Sequence, residues 1–80
     1  MSNYKCIRKI GPYDGPHSYG LISYFLEAKK ETIVWHSGPN KIEHFKVGHV
    51  YTGIKTKKLF GKTVVDYENS YPRLLQITLL

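Results

Sequence analysis

A tryptophan at position 35, a tyrosine at 51 and four lysines at 55, 57, 58 and 62 are the residues whose chemistry stands out in this 80-residue chain. Aromatic rings stack on nucleobases and lysine ammonium groups meet phosphates, which together hold single strands without reading their sequence. Four like charges within eight residues repel one another, and an anion lying between them removes that penalty. The same lysines also suit a solvated hairpin edge, where they prevent strand-to-strand aggregation. Trp35 equally suits the core of a small domain, and Tyr51 a half-exposed packing position.

Other groupings point to less chemistry. His36, His44 and His49 with Cys6 offer four possible metal ligands, but their spacing matches no finger or ribbon pattern, so the three histidines are read as surface residues. Asp14, Glu27, Glu31, Glu43, Asp66 and Glu68 are scattered and bring no nucleophile, base and orienting group together. Cys6 has basic neighbours, which lower a thiol pKa, yet on an apolar-alternating strand it reads as a small buried hydrophobe. "GPYDGP" is interrupted by prolines and is not a phosphate-cradling loop. Neither an enzymatic role nor a cofactor nor a metal is expected.

Twelve Lys and Arg against six Asp and Glu give a net charge of +6 and a pI near 9.5. Such a field draws polyanions, with nucleic acid first among them; an acidic protein or an anionic lipid surface would answer to it as well. The single cysteine excludes an internal disulfide and fits a reducing compartment. No apolar run approaches the ~20 residues of a membrane helix, and "MSNYKCIRKI" lacks a signal-peptide core. A soluble, cytoplasmic protein is expected, in the host cytoplasm if the source is viral. The length fits one domain that buries about 60% of its unfolded surface.

The elements that must position these residues follow from patterning. Tyr4 to Ile10 alternates as a first strand carrying Lys5, Arg8 and Lys9, and "GPYDGPHSYG" is a loop holding Tyr13 and His17. Residues 21–31 are open to two readings, a strand over "LISYF" or a helix with Leu21, Ile22, Phe25 and Leu26 on one face. "TIVWH" is a strand, and Asn40 is placed to cap a short helical link, "KIEHFK". From Val47 a long strand alternates so that Tyr51, Gly53, Lys55 and Lys57 share a face. A turn at Phe60-Gly61 leads to Val64 and Val65; "ENSYP" breaks the pattern, and "RLLQITLL" is a last strand or an edge for a second subunit. Five or six short strands at intervals of ~10–15 residues imply a small barrel.

In this order Val34-Trp35-His36, Val47-Gly48, Tyr51, Lys55, Phe60-Gly61 and Thr63-Val64 resemble the OB-fold of single-stranded nucleic-acid-binding proteins, particularly small phage-type single-stranded DNA binders. The resemblance spans most of Tyr4 to Val65. It departs at Lys29-Lys30, where a turn glycine is expected, and from Tyr67 onward. It implies an all-β, five-stranded OB-like barrel with one short helical link. It also implies binding of single-stranded DNA or RNA with little sequence preference. Trp35, Tyr51, Tyr24 and Phe60 would stack on bases, and Lys5, Arg8, Lys55, Lys57, Lys58 and Lys62 would meet phosphates. Alternative folds are an α+β arrangement with a helix at 21–31, or an SH3-like barrel that binds duplex. The alternative function is a protein-binding module or inhibitor that sets a basic hairpin against an acidic partner. A homodimer through "LLQITLL" is compatible with either.

Overall fold

Period-two burial, not helical periodicity, governs the first half of the chain. In the computed structural model, which describes residues 3–16, 20–38 and 43–78, three long strands come first: β1 (Tyr4–Ile10), β2 (Ile22–Ala28) and β3 (Glu31–Ser37). Ile22, Tyr24 and Leu26 of β2 point inward at alternate positions, as do Ile33 and Trp35 of β3. The two strands pair without a break from Ile22↔Ser37 to Ala28↔Glu31 around Lys29-Lys30. Residues 21–31 therefore hold no helix. Cross-strand pairing on both sides of β2 outweighs the helix propensity of "LEAKK".

Four shorter strands follow: β4 (His49–Thr52), β5 (Thr56–Leu59), β6 (Lys62–Val65) and β7 (Arg73–Ile77), with a 3-10 turn at Tyr67–Asn69 before the last. The main sheet is antiparallel with the order β3-β2-β1-β4-β7, and β5 and β6 form a separate hairpin. The protein is all-β, as its patterning implies, but the five-stranded sheet is not closed into a barrel. The hairpin touches the main sheet through β6, which lies along β3, the edge farthest from β7.

The long strand expected after Val47 is broken. Gly53 adopts a positive φ of 85°, and a side chain there would collide with the Tyr71 carbonyl, so the chain bends between Thr52 and Thr56. A short strap, Asp66 to Tyr71, fastens the bend. The Lys55 N–H donates to Ser70 Oγ at 2.8 Å, the Tyr71 N–H donates to the Gly53 carbonyl at 2.7 Å, and the Asp66 N–H donates to the Lys55 carbonyl at 2.9 Å.

Phe45 organises the core. Its ring is almost fully buried and meets Tyr24, Trp35 and Tyr51 edge-on at centroid distances of 5.2, 5.3 and 4.8 Å. Burying one phenylalanine contributes roughly 1.5–3 kcal/mol, and each such aromatic pair adds about 0.5–1.5 kcal/mol. The stretch Glu43–Lys46, expected to be helical, has no regular structure; its cap Asn40 lies outside the described residues. Two buried tyrosines replace the helical hydrogen bonds there. Tyr24 Oη accepts the His44 N–H at 3.1 Å and Tyr51 Oη accepts the Lys46 N–H at 2.7 Å.

Candidate nucleic-acid interface

The β5–β6 hairpin carries the chain's most exposed chemistry. Its pairs run from Thr56↔Val65 to Leu59↔Lys62, leaving the two-residue turn Phe60-Gly61. Both turn residues have positive φ, 52° and 78°, as the turn type that matches strand twist requires. Gly61 adopts this at no cost, whereas a bulky residue in the left-handed region is an outlier costing about 1–3 kcal/mol. Among the described residues Phe60 is the one non-glycine with positive φ. Its ring is 96% exposed, so no packing offsets the strain.

Directly paired residues share a face of an antiparallel ladder. Lys57, Leu59, Lys62 and Val64 therefore share one face, and Thr56, Lys58, Thr63 and Val65 share the other. Val65 is buried, which turns the root of the second face toward the core. On it Lys58 Nζ donates to Thr63 Oγ1 at 2.7 Å. The first face is open, with Leu59 49% exposed and Lys57 and Lys62 as diagonal neighbours, a spacing of about 7–8 Å between backbones. No acidic residue occurs from Lys55 to Val65.

Three expected stacking residues are elsewhere. Tyr24, Trp35 and Tyr51 are at most 8% exposed and line the core around Phe45. A base cannot stack on a ring whose faces are covered. Tyr24 and Trp35 are directly paired across β2 and β3, so both follow the inward face. Tyr51 does not share a face with Lys55 and Lys57, because the bend at Gly53 separates them; Tyr51 is buried while Lys55 and Lys57 are exposed.

The first strand presents a different basic set. A register shift between Cys6 and Arg8 leaves Ile7 as the extra residue and returns Arg8 opposite Phe25. The Arg8 guanidinium lies 5.7 Å from the Phe25 ring centroid, a cation–π contact. Lys5 is half-buried and stands opposite Glu27 in the β1–β2 register. Lys9 is bound to Glu43 at 2.9 Å, which raises the lysine pKa and lowers that of the carboxyl. The hairpin lysines have no such acidic partner among the described residues. Tyr13 is exposed in its loop, with backbone bonds to Leu21 and Gly20; His17 lies outside the described residues.

Two residues that patterning overlooks support the hairpin. Ser70 is buried, accepts the Lys55 N–H and donates to the Asp66 carbonyl at 2.6 Å, tying both roots of the hairpin together. Tyr67 packs on Trp35 at 4.8 Å, and its hydroxyl accepts the His36 N–H at 2.9 Å. In the sequence Ser70 sits in "ENSYP", which reads as a strand breaker, and Tyr67 ends "KTVVDY"; neither has a partner visible there.

The remaining polar groups are structural in their surroundings. Burial pushes the Cys6 thiol pKa up, against nucleophilic use. Ser23 and His36 share a 2.9 Å hydrogen bond between paired strands, with Ser23 buried. Among the described residues no group of His, Cys, Asp and Glu could hold a metal ion, and no helix is long and apolar enough to cross a membrane. Comparison with protein-family models, curated proteins and solved structures finds no match to this chain.

Proposed function

We propose that the β5–β6 hairpin binds single-stranded nucleic acid with little sequence preference. Phe60 stacks on a base at the tip while Lys57 and Lys62 meet phosphates on the open face, with Lys55 and Lys58 adding to the field at the root and the opposite face. The observation that carries this reading is the conformation of Phe60. A phenylalanine that is strained, solvent-covered and flanked by lysines contributes nothing to folding, and strain without structural return accumulates at functional positions. A base supplies the missing contact, worth about 1–3 kcal/mol, and any base serves, since every base has a π-face.

The site is smaller than the resemblance implies, with one aromatic platform in place of four. Moderate affinity and strong salt dependence follow. The experiment is anisotropy of a labelled single-stranded oligonucleotide across a salt series, with Lys57→Gln and Lys62→Gln. Each phosphate contact contributes about −0.7 to the slope of log K against log salt for single strands, so each substitution is expected to flatten the slope by about that amount. Absence of binding at low salt, or identical slopes in all three proteins, removes the reading. Binding to an acidic protein in preference to the oligonucleotide would transfer the same hairpin to a protein partner.

A further inference from the structure

A groove of about 390 Å³ lies between the hairpin and the main sheet, within the size range of small-ligand pockets. β3 is the end strand of its sheet and β6 lies along it, yet β6 pairs with β5 instead. The second edge of β3 therefore faces the groove. His36 shows which backbone groups that edge presents, since its N–H turns away from β2 and donates to Tyr67 Oη at 2.9 Å. Backbone polar groups alternate between the two sides of an antiparallel strand. Those of Thr32 and Val34 thus point the same way as His36, toward a space where no strand among the described residues pairs with them. Side chains add an apolar floor. Val65 is buried with Ile33 and Trp35, so alternation sets Val64 on the outer side together with Thr32, Val34 and His36, and all four line the groove.

Charge selects the occupant. The lining contains no acidic residue. On one bank Lys57 stands directly opposite Val64; on the other, Val34 stands opposite Phe25 and Phe25 opposite Arg8. Both cations are exposed. An apolar slot with free backbone donors and acceptors, set between two cations, matches a nucleobase with a phosphate on either side. We infer that the groove holds a second base of the single strand that the hairpin binds. Val64 is four residues from Phe60, about 13 Å at a rise of ~3.3 Å per residue, so a short oligonucleotide reaches both places. The base lies against Val34 and Val64, its polar edge meets the β3 backbone, and its phosphates meet Lys57 and Arg8. A strand edge offers both N–H and C=O groups, so no base is excluded. The inference rests on the hairpin reading and gives the strand its course, from the tip along the open face and across to β3.

The test is photocrosslinking of the full chain to an oligothymidine octamer carrying 5-iodouracil at one position at a time, with adducts mapped by mass spectrometry. The expected result is an adduct at Phe60 from one position and at His36 or Tyr67 from another. Anisotropy of the same octamer with the double variant Val34→Ala, Val64→Ala is the second measurement. Loss of the apolar floor is expected to weaken binding at least about fivefold, the lower end of what one base contact is worth. Adducts confined to the hairpin, or a folded double variant that binds as tightly as the parent, overturn the groove and leave the hairpin reading standing. Adducts in the groove without one at Phe60 support the groove and remove the stacking role of the tip. No binding at low salt removes both. If the double variant does not fold, the adduct map of the unmodified chain decides alone.

Discussion

Replacing Phe60 by asparagine should move stability and binding in opposite directions. Phe60 occupies the first central position of a two-residue turn with φ of 52°, followed by Gly61. Asparagine tolerates the left-handed region, and Asn-Gly is the preferred pair for this turn. Because the ring is 96% exposed, its removal leaves no cavity. Relief of strain is then worth about 1 kcal/mol, near the lower end of the cost for a strained non-glycine residue. For a domain of this size that raises Tm by roughly 4–8 °C. The same substitution removes the stacking platform, worth about 1–3 kcal/mol per base, so affinity for a short oligonucleotide should fall roughly 5- to 150-fold. Thermal melts by circular dichroism read the first effect and oligonucleotide anisotropy the second. Phe60→Ala is the control: it loses the ring but keeps a residue that resists positive φ, so binding falls with little gain in stability. A Phe60→Asn protein that binds as tightly as the parent would refute the stacking role, and one that melts lower would refute the strain argument.

Three further outcomes follow from the core and the strap. Phe45→Ala or Trp35→Ala should cost about 3–5 kcal/mol, against a total of about 5–15 kcal/mol that is marginal at this length; denaturant melts should show a largely unfolded chain, so a binding defect in Trp35→Ala reports folding. Ser70→Ala leaves the Lys55 N–H without its buried acceptor and should cost about 1–3 kcal/mol, seen as faster amide exchange at Lys55 and Tyr71 before the main sheet responds. Tyr4 is buried and donates to Glu31 at 2.5 Å. Burial first, then that bond, pushes its pKa from 10.0 to about 12. A raised pKa means that this contribution is whole below pH 10 and is lost as pH rises toward 12. Tyr4→Phe should be less stable below pH 10 and lose less stability across that interval, measured by denaturant midpoints at each pH.

Much of the fold was legible because period-two patterning survives in single sequences. "TIVWH" and "KTVV" read as strands and form them, and the Phe60-Gly61 turn falls between its two strands. The failures have identifiable physical causes. Patterning carries the strand from Val47 through Gly53, since a glycine in an alternating run is compatible with a strand; only the approach of the Tyr71 carbonyl, eighteen residues later in sequence, makes it a bend. The link at Glu43–Lys46 has the composition of a helical turn, but its backbone groups are taken by the hydroxyls of Tyr24 and Tyr51. Those partners come from strands on either side of it in the sequence, beyond the reach of any local pattern.

The candidate site shows where alternation stops being informative. Period two states which residues share a face and is silent on which face is covered. For β3 that choice depends on Phe45, a residue outside any strand, whose insertion makes the Trp35 face the inner one and carries Tyr24 and Tyr51 with it. Once three aromatics are committed to holding the link, the stacking capacity attributed to them has to reside elsewhere or not exist. Phe60 is the residue left in the right chemical company. Its exposure could be inferred from the turn, but its strain could not, because that arises from the pairing of Leu59 with Lys62, which forces two residues to close the hairpin and places phenylalanine where asparagine or glycine would be easier.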